Sequence, residues 1–184
     1  MSGAFRRINW PIMCSAARRF LDERKRVWCA HLPLVKDNPM SLHGEYDPQN
    51  IFAQIIRGEA PCYKLYEDDD VLAFLDLFPQ AFGHTLVIPK RAAARNLLEI
   101  DADALCKLMR VTQRLTQVLV DELQPDGVQV AQFNGAPAGQ TVFHLHMHII
   151  PRLAGQGLGI HAANQAEPAE LEELQARLVK RISG

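Results

Sequence analysis

The sharpest pattern of polar and apolar positions lies in Gln140–Ile150, where histidine occupies 144, 146 and 148 and Leu145, Met147 and Ile149 fill the gaps. Side chains alternate faces along an extended strand, so the pattern predicts three imidazoles on one face and three apolar side chains on the other. Val142, Phe143, Ile149 and Ile150 favour a strand over a helix. On a helix the three rings would splay around the axis.

The remaining patterns predict a mixed fold. Asp47-Pro48-Gln49-Asn50 offers a cap before a short helix, Ile51–Arg57, which Gly58 closes. Cys62–Tyr66 and Val71–Asp76 form a hairpin around Glu67-Asp68-Asp69-Asp70, an acidic run that reads as a solvated turn rather than a metal site. Pro79 and Gly83 break the chain before a third strand, His84–Lys90. Asp101 caps a long amphipathic helix with Leu105, Leu108, Met109, Val111, Thr112, Leu115, Val118 and Leu119 at helical spacing, and Pro125-Asp126-Gly127 stops it. Cys106, beside that stripe, reads as structural. Val128–Phe133 alternates as a fourth strand, and the loop Asn134–Gly139 leads into the histidine stretch. After Pro151, Gly155–Gly159 reads as a flexible turn because it opens no helix and lacks the dinucleotide-binding pattern. A last helix, Pro168–Ile182, has Glu170, Glu172 and Glu173 near its start and Arg177, Lys180 and Arg181 near its end, an order that suits the helix dipole. Its Leu171, Leu174 and Leu178 face either the domain or a second subunit.

Composition changes this picture mainly at the N-terminus. The 184 residues, 48% apolar, suit one domain with an appendage. Net charge is −1, yet residues 1–39 carry eight Lys/Arg against three Asp/Glu. The expected organisation is a basic extension over 1–39, a compact domain over 40–152, and a C-terminal loop and helix over 153–184. The extension reads as a targeting arm, a surface-binding tail or sequence upstream of a natural start at Met40. The acidic balance of the rest argues against nucleic-acid binding, and no apolar run approaches the roughly 20 residues of a membrane helix. Cys14, Cys29, Cys62 and Cys106 are scattered without metal-ligand or disulfide spacing, which points to a reducing, cytoplasmic location.

Three roles compete for the histidine row: satisfied polar residues on a half-exposed strand, metal ligands, or nucleophilic catalysis at phosphorus. Imidazole is a common zinc or copper ligand, but no cysteine pair or carboxylate adjoins this row. A neutral imidazole is also a competent nucleophile near neutral pH, and neighbouring rings can manage protons.

His144-Leu145-His146-Met147-His148-Ile149-Ile150 matches the His-φ-His-φ-His-φ-φ signature, with φ apolar, and so resembles the histidine triad (HIT) superfamily. Asn50–Pro61, Leu75–Lys90 and Asn134–Gln140 look like the other family blocks, in family order, and are similar to the Hint branch of nucleoside phosphoramidases more than to the Fhit branch of dinucleoside polyphosphate hydrolases. The resemblance implies an α+β fold with an antiparallel sheet of about five strands, a short N-terminal helix and a long amphipathic helix, dimerising through sheets and long helices. It implies cleavage of P–N or phosphoanhydride bonds in nucleoside 5′-monophosphate derivatives through a nucleotidyl-histidine on His146. In that scheme His148 contacts the phosphate and leaving group, while His144 and His84 form the supporting proton network. Asn134, Gly139, Gln140 and Thr141 handle the phosphate, Asp76 accepts hydrogen bonds from the ribose hydroxyls, and Phe52, Ile55 and Leu77 form the base slot. The implied partners are a purine nucleotide and a second copy of the chain.

No cofactor is required on this scheme, and turnover in chelator is expected. Two departures matter. Some relatives bind structural zinc through a Cys-x-x-Cys pair before the first helix, but Asn50-Ile51-Phe52-Ala53 stands here, which puts zinc dependence in doubt. Thr141 stands where many Hint-like members have serine. The alternatives are a nucleotide-binding sensor or interaction protein, a dinucleoside polyphosphate hydrolase and, more distantly, a metal-binding module.

Overall fold

The computed structural model describes residues 42–155 and 164–184. The basic extension, the Met40 start and most of the Gly155–Gly159 turn lie outside them. Helix α1 (Ile51–Ile56) is followed by strands β1 (Tyr63–Glu67), β2 (Val71–Leu75) and β3 (Thr85–Pro89), then helix α2 (Ala102–Leu123), strands β4 (Gly127–Ala131) and β5 (Met147–Arg152), and helix α3 (Pro168–Ser183). The strands form one antiparallel sheet in the order β1-β2-β3-β5-β4. This is the α+β arrangement, with a five-stranded antiparallel sheet, that the family resemblance implies.

Local chemistry explains the helix ends. The Asn50 carboxamide accepts from the Ala53 N–H, and the Asp101 carboxylate from the Ala104 N–H, each satisfying a donor that the first helical turn leaves open. Helix α2 ends at Gln124, whose left-handed backbone (φ 47°) lets its N–H close on the Val120 carbonyl before Pro125 forbids another turn.

Strand β2 is buried along its whole length because both sheet faces are covered. On one face Val71, Ala73, Leu75, Leu145, Met147 and Ile149 pack with Leu108, Leu115 and Leu119 of α2 and with Leu171, Leu174 and Leu178 of α3. The last helix therefore completes the core of its own domain. On the other face Leu72, Phe74, Leu86 and Ile88 pack against Phe52 of α1. Phe133 falls outside β4, which ends at Ala131, and Cys106 is exposed rather than packed. Ion pairs from Lys64, Lys90, Arg91 and Lys107 answer the acidic turn, consistent with a solvated loop. Among the described residues no helix is long and apolar enough to cross a membrane.

One expectation needs correcting. The histidine row is not a single strand: β5 begins at Met147, so His144 and His146 precede it. The partners explain this. The Pro89 carbonyl at the end of β3 accepts from the His144 ring, and the Leu145 N–H turns to the Ala94 carbonyl beyond β3. Sheet pairing of β5 with β3 accordingly stops at Val87↔Met147. Alternation nevertheless survives, with Leu145, Met147 and Ile149 in the helix-side core and the rings on the α1 side.

Candidate active site

A cavity of about 370 Å³ opens on the α1 side of the sheet. Its apolar lining includes Phe52 and Ile55 from α1 and Leu77 after β2. Its polar lining includes Asp76, His84, His146, His148 and, from the loop before β5, Gly139 and Thr141. These residues come from five separate stretches, and the antiparallel order brings them together.

Hydrogen bonding fixes the protons on two rings of the triad. His146 Nδ1 lies 2.7 Å from the His144 carbonyl, which can only accept, so Nδ1 carries the proton. Burial pushes the His146 pKa down and keeps the ring neutral. A neutral ring protonated at Nδ1 has its lone pair on Nε2. His146 is only 5% exposed and packs edge-on to Phe52 at 5.1 Å, yet it lines the cavity. His144 lies behind it: Nε2 donates to the Pro89 carbonyl (2.9 Å), which makes Nδ1 an acceptor for the Tyr46 hydroxyl at 2.6 Å. Burial pushes the His144 pKa down to about 4.

His148 belongs to a second chain of contacts. The Gln80 N–H donates to His84 Nδ1, which places the His84 proton on Nε2, 3.0 Å from His148 Nδ1. His148 Nδ1 then accepts, and its own proton sits on Nε2. The His146 and His148 rings are 4.7 Å apart, so a nucleophile and a proton donor stand side by side. Burial, with Arg152 and His146 adding repulsion, drives the His84 pKa down to about 3. Asp76 Oδ2 lies 3.2 Å from His84 Nδ1, while Oδ1 accepts from the Phe78 N–H. Burial raises the Asp76 carboxyl to about 6.

The loop residues divide. Gly139, whose φ of 99° suits glycine alone, and Thr141 line the cavity. Gln140 turns inward and is 1% exposed: its carbonyl oxygen accepts from the Gly135 N–H, and its NH₂ donates to the Arg95 and Val142 carbonyls. Asn134 accepts from the Leu97 N–H. Neither lines the cavity; both brace the loop that does. Two further residues join these contacts without any sequence pattern to mark them: Tyr46, just before the α1 cap, and Gln80, through its backbone N–H.

The positions of the zinc-binding cysteine pair do not fit zinc here. Asn50 spends its carboxamide on the helix cap, and Ala53 has no ligand atom. Among the described residues Asp76, His84 and His148 bring ligand atoms within 4.8 Å of one another, but they are engaged as just described.

The HIT domain model matches residues 57–155. The chain is 39% identical to "Protein hit" of Bacillus subtilis (strain 168), over 72% of this chain and 94% of that one. It is 36% identical to the adenylylsulfatase HINT3 of Arabidopsis thaliana, over 70% of this chain and 65% of that one. The crystal structure of a Hit-like protein involved in cell-cycle regulation from Bartonella henselae superposes with a TM-score of 0.69 at 44% identity, covering 75% of this chain and 99% of that one. With the family model spanning more than half of its length, the chain belongs to the HIT family.

Proposed function

We propose that the protein hydrolyses nucleoside 5′-monophosphate derivatives, cleaving a P–N or phosphoanhydride bond through a nucleotidyl-histidine on His146. The observation that carries this is the proton assignment: His146 Nδ1 is committed to the His144 carbonyl, so the lone pair of a neutral ring is on Nε2 at the cavity. His146 Nε2 attacks the α-phosphorus and the bond to the leaving group breaks. His148 Nε2–H donates a hydrogen bond to the departing group, which takes its proton from solvent. Water then attacks phosphorus, the P–N bond to His146 breaks with its electron pair returning to Nε2, and the water's proton passes to solvent. Charge on the phosphoryl oxygens is met by imidazole and by backbone N–H groups near Gly139. Phe52, Ile55 and Leu77 hold a purine base, Thr141 meets the phosphate, and Asp76 accepts from the ribose hydroxyls.

The likeness to an adenylylsulfatase supports a nucleotide hydrolase and adds sulfate to the candidate leaving groups. We include in this reading a cytoplasmic homodimer, for which exposed Met109 on α2 and Val130 on edge strand β4 supply surface. The test is a panel of adenosine phosphoramidate, adenylyl sulfate and a dinucleoside polyphosphate, assayed in EDTA for release of nucleoside monophosphate. Turnover of the first or second supports the proposal, and preference for the third moves the protein to the polyphosphate hydrolases. Nucleotide binding without any turnover would leave the sensor reading standing instead.

A further inference from the structure

Tyr46 precedes both α1 and the residues matched by the family model, and it is held from both sides. Upstream, the Leu42 carbonyl accepts from Asn96, and the Gly44 backbone lies so close to the Arg95 guanidinium that a Cβ there would come within 2.8 Å of Nη1. Downstream, Asp47 closes a turn by accepting from the Gln49 N–H through its side chain and from Asn50 through its carbonyl. The hydroxyl so placed donates to His144 Nδ1 at 2.6 Å.

The peptide unit between His144 and Leu145 matters most. Its N–H donates to the Ala94 carbonyl and its carbonyl accepts from His146 Nδ1. The side chain just before that unit, His144, is itself fixed at both ring nitrogens, by Tyr46 and by Pro89. Loss of the Tyr46 donor leaves the ring with the Pro89 bond alone, free to tilt about it, and the residue whose carbonyl fixes the His146 proton loses one of its anchors. Burial raises the Tyr46 pKa, so the phenol keeps its proton across the neutral range.

We propose that Tyr46 is a positioning residue for the nucleophile: its hydroxyl locks His144 and thereby holds the His144 carbonyl that keeps the His146 proton on Nδ1. The proposal rests on the hydrolase reading above for its kinetic consequence, but not for its structural one. It assigns part of the site to a segment upstream of the residues matched by the family model.

The test is Tyr46→Phe, with Tyr66→Phe as a control because the Tyr66 hydroxyl donates to Asp68 in the exposed turn and Tyr66 does not line the cavity. Two readouts are taken: steady-state kinetics, and the histidine tautomers seen in long-range proton–nitrogen NMR correlations. Wild type should show His144 protonated at Nε2 and His146 at Nδ1. In Tyr46→Phe, kcat should fall about tenfold with KM within about twofold, and His146 should become a mixture of tautomers. An unchanged kcat, a loss confined to KM, or a kcat loss with the His146 tautomer intact overturns the proposal. So does a wild-type His144 protonated at Nδ1, a result that needs no variant to fold. If wild type turns over nothing in the panel, the hydrolase reading fails, while the tautomers still decide the role of Tyr46.

Discussion

Two faces of one short stretch do different work. Leu145, Met147 and Ile149 point into the helix-side core, where shape and area decide the outcome. His144, His146 and His148 point to the α1 side, where the position of single protons decides. The apolar face tolerates any set of side chains that fills the same volume. The histidine face tolerates little, because each ring nitrogen has an assigned protonation state that its neighbours hold. A rigid core on one side is what makes fixed tautomers possible on the other.

Single substitutions should separate the faces. The largest effect is expected on the histidine side: His146→Ala should lower nucleoside monophosphate release by on the order of 10³-fold or more, equivalent to about 4 kcal/mol or more, with the urea midpoint unchanged or raised. Leu145→Ala should do the opposite. Leu145 is fully buried, so its truncation should cost about 3 kcal/mol of stability in urea titrations, with the folded fraction keeping activity within a few-fold. Comparable activity losses from both substitutions would break the division.

Asp76 sharpens the comparison because the burial of its carboxylate at the cavity works against the fold. Its carboxyl stands at about 6 rather than 3.8, so the folded state holds a proton that the unfolded state has lost between those values. Its contribution therefore falls as pH rises through that window, and Asp76→Asn should stabilise the protein at neutral pH by about 2 kcal/mol. The same change should raise KM about tenfold for ribonucleotides while affecting 2′,3′-dideoxy substrates little. For wild type, KM should also rise as pH falls below about 6.

The buried histidines titrate in the other direction. With pKa values held down to about 4 for His144 and about 3 for His84, they are neutral in the fold while the unfolded chain takes up protons below about 6.5. Stability from these two should be full above that pH and drain away as pH falls toward 3, a trend that acid titration of the urea midpoint will reveal. The smallest effect is reserved for Thr141→Ser, which removes one methyl at the cavity and should shift leaving-group preference by only about twofold.

The legible parts of this fold are those written in local chemistry. The cap in Asp47–Asn50, supplied by Asn50, the cap at Asp101, the hairpin around the acidic turn and the stripe of α2 each depend on neighbours a few residues apart, and they are present except that Met109 of the stripe is exposed. The start of β5 was not legible, because it depends on where Pro89 and Ala94 send their carbonyls, some fifty residues away. Gln140 shows the same limit within the site. Its type and place beside Thr141 match a phosphate contact, but only the fold reveals that three backbone groups consume its amide. Tyr46 left no pattern because a single tyrosine carries no period. Asp76, His84, His146 and His148 line one cavity because the antiparallel order fixes which strand ends are neighbours.

The most direct test is to capture the intermediate. Wild-type protein and adenosine phosphoramidate, mixed and quenched in alkali within milliseconds, should yield a peptide carrying an adenylyl group on His146, with the species rising and decaying at the turnover rate. An adduct on another residue, or full turnover by His146→Ala with no adduct at all, would contradict the account.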